Sequence, residues 1–188
     1  MFIQTEATPN PNALKFLPVG ENVIGEDRSG KFFKKDSDED RNKSILADSL
    51  FEIEGVEDVF LGSDFITVGK KASIEWPILK SPIILAIQEF YTSGQPIINE
   101  IDTNPKHRLA HDDDEVVKKI IQLLDTRVRP AVAQDGGDII FHSYKEGIVY
   151  LEMFGACSGC PSSTATLKMG IENMLKHYIP EVKRVEPI

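Results

Sequence analysis

A polar break from about residue 93 to residue 114 constrains this 188-residue chain more than any other feature. It opens Ser93-Gly94-Gln95-Pro96 and continues Asn99-Glu100-Ile101-Asp102-Thr103-Asn104-Pro105-Lys106-His107-Arg108. It closes on His111-Asp112-Asp113-Asp114. Two prolines and no sustained apolar period mark it as loop or linker. Charge divides at the same place. Residues 1–105 hold 10 basic and 18 acidic groups, net −8, whereas residues 106–188 hold 11 and 12, net −1. The expectation is two small α+β domains, 1–92 and 113–188, joined by a linker over 93–112. Each should have helices packed on an antiparallel hairpin or sheet. Domains so joined should reorient unless a large apolar interface forms between them.

Both halves read helix, hairpin, helix. In the first, Ser44 can N-cap a helix to about Glu54, and Val56-Glu57-Asp58-Val59-Phe60-Leu61 reads as a strand. Gly62-Ser63-Asp64 turns the chain, and Phe65-Ile66-Thr67-Val68 returns. A second helix begins near Trp76 or Ser81-Pro82, buries Ile83, Ile84, Ile87, Phe90 and Tyr91, and stops at Gly94. The acidic stretch Asp36, Asp38, Glu39, Asp40 reads as a solvated loop. In the second half, Asp112 to Asp114 can cap a helix whose stripe is Val116, Val117, Ile120, Leu123, Leu124 and Val128. Pro130 should kink it, and Gly136-Gly137 should end it. Ile139 and Phe141 alternate on one strand, and Val149, Leu151 and Met153 on the next. A helix from about Pro161 to Tyr178 should bury Leu167, Ile171, Met174, Leu175 and Tyr178, with a last strand near 182–185.

Composition narrows the function classes. A net charge of −9 disfavours nucleic-acid backbones and anionic membranes as partners. The longest apolar run, Ile83-Ile84-Leu85-Ala86-Ile87, is far too short for a bilayer. The opening Met1-Phe2-Ile3-Gln4-Thr5-Glu6 carries neither a secretory signal nor a transit peptide pattern. Two cysteines in the chain, Cys157 and Cys160, do not make a secreted disulfide scaffold. So close a pair would close almost no loop. A reducing compartment is expected.

The chemistry should therefore lie in Gly155-Ala156-Cys157-Ser158-Gly159-Cys160-Pro161-Ser162-Ser163-Thr164, between a strand and a helix. Pro161 suits a first helical turn, which sets Cys160 near the N-cap, where the positive helix end favours a thiolate. Four readings follow. Two incidental packed thiols are the plainest. A thiol–disulfide oxidoreductase is the enzyme reading, although that motif usually follows a strand of a parallel βαβ unit and here the strand belongs to a hairpin. A structural zinc site wants four protein ligands, and His107, His111, His142 and His177 stand at no regular spacing from the pair. An iron–sulfur cluster needs about four thiolates. One chain supplies two, so two chains share a cluster or non-protein ligands complete it. Such a site suits a carrier that gives its cluster away.

Residues from about 113 to 188 resemble the C-terminal domain of NifU and the Nfu proteins. The resemblance runs through Arg129-Pro130, Asp135-Gly136-Gly137-Asp138, the stretch Gly155 to Ser163, Thr166-Leu167-Lys168 and Gly170-Ile171-Glu172. Residues 1 to about 92 resemble the Nfu N-terminal domain, with Thr8-Pro9-Asn10-Pro11-Asn12-Ala13-Leu14-Lys15-Phe16 as its opening signature and Trp76 where that family often has a tryptophan. The resemblance implies a scaffold or carrier, not an enzyme, that delivers iron–sulfur clusters, usually 4Fe–4S, to apo client proteins. Cys157 and Cys160 would be its ligands, and the cluster would bridge two protomers, making a homodimer when loaded. Upstream cluster assembly proteins would be its other partners. Its setting would be a bacterial cytoplasm or, for a mature organellar chain, the mitochondrial matrix.

Overall fold

The computed structural model describes residues 1–25, 30–38, 40, 42–99, 114–157 and 161–188, with side chains of 161–163 left aside. Residues 100–113 of the polar break, with His107 and His111, lie outside the described residues, as do Glu39 and Cys160.

The first domain is a five-stranded antiparallel sheet under two helices. Its elements are β1 (Ile3–Ala7), β2 (Ala13–Pro18), β3 (Lys31–Lys34), α1 (Ile45–Phe51), β4 (Val56–Leu61), β5 (Ile66–Lys70) and α2 (Trp76–Ser93). Strand order is β1-β2-β5-β4-β3. The sequence reading names no element before Ser44, yet three strands stand there. Their alternation is short, and β3 offers only four residues. The Pro9-Asn10-Pro11-Asn12 segment joins β1 to β2. Thr8 Oγ1 donates to Asn10 O and Ala13 O, and the Trp76 indole donates to Pro11 O, which fixes this turn against α2.

One face of the sheet makes the first core. Leu14, Phe16, Phe33, Val59, Leu61, Ile66 and Val68 meet Leu46 and Leu50 of α1 and Leu79, Ile83, Ile87 and Phe90 of α2. Burying such side chains contributes roughly 1.5–3 kcal/mol each. Helix α2 starts at Trp76 and carries Pro82 within it; Gly94, at φ 68, ends it. Residues 95–99 return to the first domain, because Ile97 and Ile98 pack on its core.

The second domain places α3 (Glu115–Leu123), a π turn (Leu124–Val128), α4 (Arg129–Gln134) and α5 (Pro161–Tyr178) on β6 (Gly137–Lys145), β7 (Ile148–Gly155) and β8 (Arg184–Pro187). Asp114 caps α3 by accepting from Val116 N. Pro130 stands in the first turn of α4, just after the π turn. It cannot donate, and Arg129 N–H reaches five residues back to Leu124 O. The β6–β7 pair is the antiparallel hairpin, while β8 joins β7 in parallel. Of the face expected for α5, Ile171 and Leu175 are buried, Leu167 and Met174 are partly buried, and Tyr178 is exposed, with Arg127 over its ring. No helix among the described residues is long and apolar enough to cross a membrane.

Ser44 ties this fold together locally. It is fully buried, accepts from Ala47 N as N-cap, and donates to Ile97 O at 2.7 Å, pinning the segment after α2 to the start of α1. Ser44→Ala removes both bonds and leaves Ile97 O without this donor. We expect a loss of about 1–3 kcal/mol from the first domain, read from its urea unfolding midpoint. An unchanged midpoint would show that neither bond matters.

Candidate functional site

The described half of the dithiol, Cys157, sits just past the end of β7. Three features shape its loop. Gly155 ends the strand at φ +66, a backbone that side chains rarely adopt, and a Cβ there would stand 2.5 Å from Gly136 O. Ala156 N–H donates to that same Gly136 carbonyl at 3.1 Å. Gly137 faces the sulfur so closely that a Cβ on it would lie 2.7 Å from Cys157 Sγ. The Gly136-Gly137 corner, which the sequence marks as a helix stop, is thus also the floor of the cysteine loop. On the far side, Thr164 of α5 donates its hydroxyl to Cys157 O at 2.9 Å.

An ion pair holds that floor from below. Arg129 donates to both oxygens of Asp138, at 2.8 and 2.7 Å, and to Asp125 at 3.1 Å. Asp138 Oδ1 also accepts from Ile139 N. The bond to Asp138 outweighs burial and keeps the guanidinium charged. Because the pair is largely out of water, removing one partner would strand the other charge beside the loop. The charge pairing with Asp138, nine residues on, gave no periodic signal.

The Cys157 thiol is 6% exposed and belongs to the second domain's core. Burial, then the carboxylates of Asp135 and Asp138, push its pKa from 9.0 up to about 12. This differs from the thiolate-favouring environment expected at the helix start for its neighbour Cys160. Beside Cys157 opens a cavity of about 600 Å³, walled by Val128, Leu167, Ile171 and Met174 and, from the first domain, by Pro9. Among the described residues, no group of three or more His, Cys, Asp or Glu side chains could hold a metal. His142 contacts Ser143, and His177 meets the Tyr178 ring edge-on.

A two-domain α+β chain with Cys157 on a glycine-floored loop ahead of a helix has the architecture of the NifU-like class. Residues 120–186 match the NifU-like domain family, and residues 3–94 match the family described as scaffold protein Nfu/NifU N terminal. The chain belongs to the Nfu family. It is 50% identical over its whole length to the Drosophila persimilis protein named NFU1 iron-sulfur cluster scaffold homolog, mitochondrial, and 48% identical to the Drosophila sechellia protein of the same name. In each case it spans 65% of the relative's length. A NifU-like protein of Saccharomyces cerevisiae, solved by solution NMR, shares the fold with a TM-score of 0.50 at 32% identity. That match covers 53% of this chain and 86% of the yeast chain.

The raised pKa has a definite sign. The native state holds the Cys157 proton more tightly than the unfolded chain does. Its contribution to stability is complete below about pH 8 and is lost as pH rises from about 9 toward about 12. Alkylation should report the same protection. At pH 8 we expect iodoacetamide to modify Cys157 on the order of fiftyfold more slowly in native apo-protein than in urea, measured by peptide mass spectrometry. Equal rates would mean the thiol is open and ionised.

Proposed function

We propose that this chain is an iron–sulfur cluster scaffold and carrier. It holds a cluster through Cys157 and Cys160, shared between two chains, and passes it to apo target proteins without turnover of its own. The observation that carries the reading is the place of the chain's two cysteines. They bracket the loop between β7 and α5 in a NifU-like domain, and relatives spanning its whole length are named cluster scaffolds.

The chemistry follows from counting. Clusters take about four thiolates, so two chains at two each complete a 4Fe–4S core. Uptake is ligand exchange. Each cysteine yields its proton to solvent as iron takes the sulfur, and the thiol that held the iron before leaves with a proton. Cys157 must leave its pocket for this, which fits a cargo site better than a permanent one. Release repeats the exchange onto a client's cysteines. The more acidic first domain then serves client choice, and upstream assembly proteins supply the cargo. A buried, neutral Cys157 is a poor nucleophile toward disulfides itself, because the thiolate is the attacking form. The relatives' names favour a mitochondrial setting.

Cys157→Ser and Cys160→Ser should each abolish stable loading after anaerobic reconstitution while leaving circular dichroism unchanged. Loaded wild-type protein should restore activity to an apo 4Fe–4S enzyme, and the serine variants should not. A double serine variant that still loads and delivers a cluster would overturn the assignment of the site. Catalytic disulfide reduction without retained iron would establish the oxidoreductase instead.

A further inference from the structure

The first domain's sheet has two faces, and its helices cover one of them. On the other face, beside the row Ala13, Gly69, Asp58 and Lys34, runs a second cross-strand row in register. Glu6 pairs with Lys15, Lys15 with Thr67, Thr67 with Phe60, and Phe60 with Phe32. A row facing away from the helices of a two-layer domain ordinarily meets water. Here Thr67 is 0% and Phe60 1% exposed, and Lys15 is buried too. Gly30 and Phe65 of the first domain lie against the Phe60 ring, Phe65 and Glu6 stand beside Lys15, and the second domain completes the cover at the floor and rim of its cysteine loop.

The contacts run along the row in order. Lys15 Nζ reaches Gln134 O at 3.5 Å. Thr67 Oγ1 donates to Gly136 O at 2.7 Å, so that one carbonyl receives both Thr67 and Ala156, the residue before Cys157. Phe60 lies against Gly155, where a Cβ would stand 3.1 Å from its ring. Phe32 meets Phe154 with ring centroids 6.2 Å apart. Pro9, from the β1–β2 turn, completes the wall of the cavity beside the sulfur.

The geometry points to the row Lys15, Thr67, Phe60 and Phe32 as a docking surface for the dithiol end of the same chain's second domain, one whose occupation excludes cluster sharing. The inference rests on the function proposed above. While the row is docked, Thr67 holds Gly136 and Phe60 lies against Gly155, two of the glycines that shape the cysteine loop, and Cys157 faces inward. A cluster shared with a second chain needs that sulfur outside. Loading therefore requires the row to let go, and the aromatic face so released becomes available only in loaded protein. Coupling of this kind is reciprocal. Whatever undocks the row eases loading, and loading undocks the row.

Two variants of the full chain separate the partners in this coupling. Thr67→Val removes the bond to Gly136 O, and Thr67→Arg places a long cation where no room exists beside that carbonyl. Each is prepared with 4-fluorophenylalanine at position 60, and circular dichroism confirms that both domains remain folded. Fluorine NMR reads solvent contact at that ring. The reagents for loading are ferrous iron, sulfide and dithiothreitol. We expect a buried signal in apo wild-type protein, a solvent-exposed one in loaded wild-type protein, and an exposed one in apo Thr67→Arg. The initial rate of iron uptake should rise about fivefold in Thr67→Arg and by less in Thr67→Val. A signal that stays buried in loaded protein overturns the exclusion, as does an exposed signal in apo Thr67→Arg with an unchanged uptake rate. A wild-type chain that binds no iron overturns the function instead. In that case exposure of the Thr67→Arg signal still establishes the docking row by itself.

Discussion

The Gly136 carbonyl is the point on which both halves of this molecule depend. It accepts the Ala156 amide from the cysteine loop and the Thr67 hydroxyl from the other domain. A carbonyl has two lone pairs, and here each is used by a different domain. Gly136 can present it in that direction because it sits at φ +80. A Cβ there would also approach within 2.9 Å of Thr67 Oγ1. A backbone atom that ends a helix thus also holds the loop and the neighbouring sheet.

Around that point the structure keeps a reactive group quiet. Cys157 is packed among apolar side chains, its proton is retained by burial and by nearby carboxylates, and its loop is floored by glycines. Such a thiol is protected from oxidation and alkylation until the loop moves. For the carrier proposed above this is a useful resting condition. An apo carrier with both thiols open and ionised would invite adventitious metals and disulfides.

Much of this was legible in the sequence, for identifiable reasons. Strong local signals gave α1 with its Ser44 cap, β4 and its return strand, Gly94 as the stop of α2, and α5 beginning at Pro161. The dithiol announced itself by type and spacing. The signals that failed were non-local. Strands β1 to β3 are short and find their partners only across the sheet, and the parallel seat of β8 depends on where the chain returns. The docking row left one trace that went unread. Val59-Phe60-Leu61 is a continuous apolar run, whereas a strand with one face in water alternates. Phe60 was the evidence that something covers the second face. The burial of Cys157 had no such trace, because the helix start bears only on the charge state of its neighbour Cys160.

The central claim is that the cargo is shared by two chains through two thiols from each. Native mass spectrometry of anaerobically reconstituted protein tests it directly. The account predicts a dimer carrying one cluster of about four irons and four sulfides, which falls apart to bare monomers when the cluster is removed. A monomer that holds a complete cluster on its own two cysteines, with small-molecule thiols filling the remaining positions, would contradict it.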